Sequence, residues 1–283
     1  MREITFTILK PAKLLDFLNS FYLSKTNIYK LNTSKSLSVN SEIVDINYIL
    51  KKGDFLDINT DCFQTNQVIP WNHDIKVIYE DLDLIVVNKP SGILVHPDGN
   101  SNKTLINAIK SYYNKNNKDD EVRVVHRLDV ETSGIMVFAK NILSHSFLSK
   151  QMEDKDFEKI YVAIVDGKLD KESGIIDLPI AKDRHNNNKY IVNENGKYAL
   201  THYKILKKLN NKTLIEINLE TGRTHQIRVH FSTISHPIIG DNIYGNNSNN
   251  SRLMLHAKSI SFIHPRTRKR IKFESKLPKE FNQ

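Results

Sequence analysis

The stretch "VVHRLDVETSGIMVFAK", residues 124–140, places a short polar loop between two apolar runs. Val122–Val125 and Ile135–Ala139 have the length and the β-branched and apolar content of strands, so the segment reads as strand, loop, strand and points to a sheet protein. The loop carries Asp129, flanked by Arg127 and Glu131. An aspartate beside an arginine in a loop is ordinarily a turn former or half of a surface ion pair. A chemical role for Asp129 therefore has to come from the rest of the chain.

From Ile75 onward the pattern around this segment alternates strands with few helices. "IKVIYED" and "DLIVVNKPSG" read as paired strands across an acidic turn, and "KIYVAIVDG", "ALTHYKILKKL" and "KTLIEINLE" as further strands. "KTLINAIKSYY", starting near Thr104, and "ILSHSFLSKQMED" have helical spacing. "DRHNNNKYIVNENGKY" holds little apolar material and is expected as an exposed loop or loop-like hairpin, while "THQIRVH" alternates like a strand. The fold class is α+β (mixed α/β), with strands outnumbering helices. Residues 75–283 form this larger unit. Residues 66–74 read as a linker broken by Pro70, with Trp71 docking the join.

The 283 residues, 39% of them hydrophobic, suffice for a sizeable core and suit one large domain with a small companion. The single cysteine, Cys62, excludes an internal disulfide and a cysteine-built zinc site, and fits a reducing compartment. The opening "MREITFTILKPAKLL" lacks the apolar run of a signal peptide, and nothing approaches the roughly 20 apolar residues of a membrane span. The expectation is a cytoplasmic protein with no membrane partner. The net charge of +9 suggests a polyanionic partner. Nine basic against two acidic residues lie between Asn249 and the end, and "HPRTRKRIKF" there reads either as a solvated hairpin or as a nucleic-acid contact.

Residues 1–65 read as a small unit of their own. Two amphipathic patterns, "AKLLDFLNSF" and "SKTNIYKL", precede the strand-like "SLSVN" and "DFLDIN", with "KKGD" as a turn. This order resembles, in degenerate form, an S4-type RNA-binding module. The basic residues of its second helix are reduced to Lys25 and Lys30, and eight basic side chains over residues 1–70 face seven acidic ones. A chain starting near His73 is accordingly expected to fold and to carry the chemistry.

Six stretches then follow in order: "NKPSGILVHP" (88–97), "HRLDVETSG" (126–134), "EKIYVAIVDG" (158–167), "LETGRTHQIRVH" (219–230), "HPIIGDNIYG" (236–245) and "RLMLHA" (252–257). Together they resemble the RluA family of pseudouridine synthases over about residues 75–281. The resemblance implies an enzyme that detaches uracil from C1′ of its ribose in RNA, rotates it and rejoins it through C5. It also implies an extended, largely antiparallel central sheet crossed by a cleft that has Asp129 at its floor. It places the catalytic carboxylate on Asp129, which is ionised at neutral pH without an activating base. It places the paired cation on Arg228 rather than Arg223, and a stacking and proton-handling phenol on Tyr161. Arg127 resembles the residue that fills the RNA stack when the base is extracted, and Leu255 the apolar wall of the base pocket; His126 reads as a loop-holding hydrogen-bond residue. A large-subunit ribosomal RNA is the favoured substrate and transfer RNA the alternative, with a noncatalytic ribosome-assembly protein as the competing class.

No cofactor and no metal are expected. "HQIRVH" has no acid between its histidines, "NKPSG" has too few glycines for a phosphate loop, and Glu131 alone does not give Asp129 the flanking partner of a glycosidase. The enzyme is expected to act as a monomer.

Overall fold

A computed structural model describes residues 3–63, 68–99, 101–186, 188–245 and 252–282. In its amino-terminal part, strands Glu3–Thr7, Phe55–Asn59, Leu37–Val39 and Glu42–Ile43 form an antiparallel sheet in that spatial order. Ile4 and Phe6 alternate inward onto helices α1 (Leu14–Asn19) and α2 (Lys25–Thr33), and Leu14, Leu18, Leu31, Leu37, Leu56 and Ile58 close a dry core. Ser24 caps α2 by accepting the Asn27 N–H at 3.2 Å. The "KKGD" turn bends at Gly53, whose φ of +96° suits glycine. The helix pair and strands thus lie in the expected order.

A ten-stranded sheet dominates the rest of the described chain. Its path runs Ser173–Asp177, Leu200–Lys208, Lys212–Leu219, Glu158–Asp166, Leu255–Ile263, Ser133–Ala139, Leu84–Lys89 and Lys76–Glu80. Arg270–Glu274 pairs with Leu255–Ile263, and Arg123–Val124 with Ser133–Ala139. One junction is parallel, where Ser133 and Gly134 pair with His256 and Ala257. Gly134 sits there at φ +123°, and a Cβ would collide with the Ala257 backbone, so only glycine lets the strand leaving the Asp129 loop approach its neighbour. Helices α3 (Leu105–Lys115) and α4 (Ile142–Glu153) form as the spacing predicted, α4 capped by Asn141. Ile180–Lys182 and Tyr190–Val192 form the loop-like hairpin. Residues 64–67 of the linker region lie outside the described residues. Beyond them the Trp71 N–H bonds the Asn107 carbonyl of α3 at 2.9 Å, and the Trp71 ring stacks on His73.

One element differs from its sequence reading. Gln226–Thr233, within "THQIRVH", is helix α5 and not a strand. Every residue from Gln226 to Phe231 is buried, so both periodicities were masked: an element wrapped on all sides shows no polar face from which a 3.6-residue repeat could be read. The consequence is geometric. Gln226 and His230, expected on the face of Arg228, share the opposite face as an i,i+4 pair, and both bond Thr201.

The basic run also differs. The Arg266 guanidinium lies 4.1 Å over the Phe6 ring, bonds the Asp83 carboxylate at 2.6 Å, and donates to the Thr5 carbonyl at 2.7 Å. Arg268 lies between Phe21 and Phe147, 4.4 and 4.1 Å from their centroids. Ile142, Leu143 and Phe147 of α4 belong to the amino-terminal hydrophobic core. Two of the arginines read as solvated or RNA-contacting thus fasten the small unit to the large one. Cation–π contact and burial satisfy planar guanidinium groups better than they would ammonium groups.

The expectation that a chain starting near His73 folds by itself is therefore revised, because such a chain would expose the α4 apolar face. Arg266→Ala should lower stability by about 2–3 kcal/mol, since it leaves buried Asp83 without its cation. Removal of residues 1–72 should lower it further and increase binding of a hydrophobic dye. Thermal and urea melts of the three proteins measure both effects. Among the described residues no helix is long and apolar enough to cross a membrane.

Candidate active site

The Asp129 loop is held by its backbone. The Lys89 ammonium, fully buried, donates to the carbonyls of Val130 and Thr132 at 2.8 Å each and to that of Pro90 at 3.0 Å. The Ser91 hydroxyl bonds the Glu131 carbonyl at 2.5 Å, and the Gly92 N–H bonds that of Val130 at 2.8 Å. "NKPSG" is therefore a clamp on successive carbonyls of the catalytic loop. Burial pulls the Lys89 pKa down to about 7, against the charge of Asp129, which acts in the opposite sense. His126 is likewise buried and accepts the Val137 N–H at Nε2, 3.4 Å away; burial, with the charge of Lys159, holds its pKa near 3. It is a neutral loop-holding residue, as expected.

Within this fixed loop the side chains meet α5. Arg228 is 2% exposed and forks onto Asp241, with Nε and Nη2 each 2.8 Å from a carboxylate oxygen. Its contacts to Asp129 at 3.4 Å and Glu131 at 3.3 Å are longer. The expected pairing of Arg228 with Asp129 is present, but Asp241 is the closer partner, and Glu131 turns toward the same cation. Burial opposes both charges, yet the Arg228–Asp241 hydrogen bonds outweigh it, holding the guanidinium above and the Asp241 carboxyl below their ordinary ranges. Arg223 is exposed and bonds the Tyr198 carbonyl through Nε at 2.8 Å.

These residues open into a cleft of about 1200 Å³ that crosses the sheet. Tyr161 and Leu255, both buried, line it beside Asp129. Burial, with the Asp129 charge, pushes the Tyr161 phenol well above its ordinary range, so it keeps its proton at neutral pH. Arg127 lines the cleft too, exposed and without a polar side-chain partner among the described residues. Lys159 lies on the face of Tyr161, and burial pulls its pKa to about 8. His225 precedes α5 with Nε2 3.9 Å from Asp129, and Tyr244 lies under the Arg228 guanidinium, 5.3 Å from ring centroid to carbon.

All five residues nominated from the sequence, Asp129, Tyr161, Arg228, Arg127 and Leu255, line this one cleft. Lys89, Asp241, His225 and Tyr244 were missed, although each lies inside a quoted motif. A sequence does not distinguish the acid in "GDNIYG" from a turn former. The one group of carboxylate and imidazole atoms close enough to share a metal among the described residues, Asp81, Asp83 and His264, lies elsewhere and is already tied up with Arg266.

Residues 83–233 match the RNA pseudouridylate synthase family. The chain is 40% identical over 260 residues to an uncharacterized RNA pseudouridine synthase, YhcT, of Bacillus subtilis strain 168, covering 90% of this chain and 86% of that one. It is 39% identical over 215 residues to ribosomal large subunit pseudouridine synthase D of Nitrosomonas europaea, covering 72% of this chain and 62% of that protein. The structure superposes on human RNA pseudouridylate synthase domain containing 1 with a TM-score of 0.63 at 24% identity, over 73% of this chain and 84% of the other. A site of this build on this fold is that of an RNA-modifying isomerase. The chain belongs to the RNA pseudouridylate synthase family and is an RNA pseudouridine synthase.

The clamp makes a direct prediction. Lys89→Met keeps the volume but takes the ammonium away from three carbonyls, of which only that of Val130 keeps the Gly92 N–H, and should cost about 2–4 kcal/mol of stability while cutting turnover by more than tenfold at temperatures where the variant remains folded. A variant with wild-type turnover would show that the loop holds its shape without the ammonium.

Proposed function

We propose that this enzyme isomerises uridine in large-subunit ribosomal RNA, with Asp129 as the reacting carboxylate, Arg228 as its fixed cation and Tyr161 as the stacking face for the extracted base. The observation that carries the reading is the placement of Asp129: its backbone is clamped, one carboxylate oxygen faces Arg228, and the side chain opens into a cleft walled by Tyr161 and Leu255. Relatives named for the ribosomal large subunit, from Nitrosomonas europaea and Zymomonas mobilis, support the choice of RNA. Such a substrate places the work of the enzyme in the cytoplasm. Every proposed site residue comes from one chain, which fits a monomer.

The reaction is balanced within the nucleotide. The N1–C1′ bond breaks, the C1′–C5 bond forms, C5 loses a proton and N1 gains one. Addition of Asp129 to C6, attack on C1′ and proton removal from the sugar all use the carboxylate as the reacting group, and the Arg228 guanidinium lies 3.4 Å from one of its oxygens. A protonated Tyr161 suits stacking and hydrogen-bond donation, leaving a water beside it to accept the C5 proton. Arg127 occupies the gap left by the flipped base, where a planar guanidinium stacks and hydrogen-bonds. No step needs a metal or cofactor.

Residues 1–65 serve as a weak, degenerate S4-like RNA contact in this reading. Lys30, one of the two basic residues of its second helix, lies over the Phe63 ring at 5.4 Å and is exposed.

Asp129→Asn should abolish isomerisation while leaving RNA affinity within about threefold of wild type, because the charge is lost and the volume kept. Arg228→Lys should also fall by more than about tenfold, since a point charge cannot fork onto Asp241 while reaching Asp129. Chelators should leave turnover unchanged. Mapping pseudouridine in total RNA from cells with and without the protein identifies the target; loss confined to transfer RNA would overturn the ribosomal assignment. Turnover by the Asp129→Asn variant would overturn the mechanism.

A further inference from the structure

His225 takes a conformation that a residue with a Cβ avoids. It stands immediately before α5 at φ +56° and ψ +18°, in the left-handed region. Contacts on both sides of the ring hold it there. Its Nδ1 lies 2.8 Å from the Tyr244 hydroxyl, and the rings of Tyr190 and Tyr244 meet it edge to face at 5.7 and 5.5 Å. The Tyr244 hydroxyl in turn accepts the Tyr190 N–H at 2.9 Å. On the other side of the ring, Nε2 is 3.9 Å from Asp129 Oδ2, the same oxygen that faces Arg228 at 3.4 Å.

This chain of contacts fixes the tautomer. Burial lowers the His225 pKa, against the pull of Asp129, so the ring is neutral at neutral pH. If Nδ1 carried the proton, the Tyr244 proton would have no acceptor among the described residues, and the Nε2 lone pair would face a carboxylate. With the Tyr244 hydroxyl donating to Nδ1, the proton sits on Nε2 and points at Asp129. A separation of 3.9 Å is longer than a hydrogen bond, but such contacts commonly tighten when substrate closes a site.

We propose that His225 is a positioning residue, held as the Nε2–H tautomer by Tyr244, which with Arg228 fastens Asp129 Oδ2 and leaves Oδ1 as the oxygen that reacts with the nucleotide. Among the described residues no polar side chain contacts Oδ1, whereas both donors converge on Oδ2. A carboxylate fixed at one oxygen cannot rotate its other oxygen away from the substrate, so the restraint acts on the rate of the chemical step and not on RNA affinity. The Tyr190 N–H extends the restraint to the basic hairpin, because Tyr190 belongs to the strand that follows Lys189.

The proposal rests on Asp129 as the reacting group, and its test keeps the two apart. Single-turnover rates and KM on one target RNA are measured for Asp129→Asn, His225→Leu, His225→Gln and Tyr244→Phe. Removing a hydrogen bond to a charged group predicts a single-turnover rate about 10- to 100-fold lower for His225→Leu, with KM within about twofold. Glutamine places an N–H donor close to the imidazole Nε2 position, so His225→Gln should recover to within about fivefold of wild type. Tyr244→Phe leaves the His225 backbone intact and should slow the same step by about tenfold through loss of the tautomer lock, which keeps the test open if leucine disturbs the start of the helix. An inactive Asp129→Asn alongside wild-type rates for His225→Leu and Tyr244→Phe would overturn the role of His225 alone. Equal losses in His225→Leu and His225→Gln would overturn it in favour of a purely structural ring. An active Asp129→Asn would overturn both readings.

Discussion

The buried pair of Arg228 and Asp241 is the constraint from which the site follows. An arginine withdrawn almost completely from water is tolerable only when its charge is matched and its donors are spent, and Asp241 meets both needs with a two-pronged contact. Asp241 is itself fixed by the Ile243 and Tyr244 N–H groups, each 3.0 Å from Oδ1. The guanidinium therefore presents its remaining donors to Asp129 and Glu131 in a set direction. That makes Arg228 a standing source of positive potential instead of a flexible salt-bridge partner.

Charge is distributed differently from what the chain's composition suggests. The positive excess near the carboxyl terminus looks like a polyanion-binding patch, yet much of it is used internally. Arg266 and Arg268 stack on phenylalanines of the amino-terminal unit, Arg252 bonds Ser133 at 2.7 Å, and Lys272 pairs with Glu274 at 2.7 Å. A run of arginines is as good a device for fastening two apolar surfaces as for gripping phosphate, because the guanidinium plane is weakly hydrated and stacks. At the cleft, by contrast, Arg127 and Lys159 have no carboxylate partner among the described residues.

Most strands along the chain, both longer helices and the place of the Asp129 loop were legible because each rests on local patterning: apolar and β-branched runs, helical spacing, a polar interruption. The identity of α5 was not. "THQIRVH" is buried on every side, and burial erases the contrast between polar and apolar faces that separates a 3.6-residue from a 2-residue repeat. The five nominated residues came from resemblance, and the cleft does bring them together. Asp241, Lys89 and His225 stayed hidden for a different reason. Each acts through a contact distant in sequence: Lys89 on carbonyls 41 and 43 residues away, Arg228 on an acid 13 residues on. Nothing local marks an ordinary lysine or turn aspartate as the member of such a pair.

On the proposed roles, the same loop performs two opposed tasks two residues apart. Asp129 has to be immobile, because a carboxylate displaced by even 1 Å loses much of its advantage over one in solution. Arg127 has to be mobile, because it must enter a space that exists only once a nucleotide has left the stack. The structure separates these demands by dividing backbone from side chain. The carbonyls of residues 130–132 are all tied down by Lys89, Ser91 and Gly92, and His126 anchors the near end of the loop beneath Val137. Arg127 projects from that rigid frame into solvent, while Leu128 beside it turns into the core. The backbone is thereby spared the conformational search of base extraction, which is left to a single side chain whose torsions relax far faster than a loop can reorder.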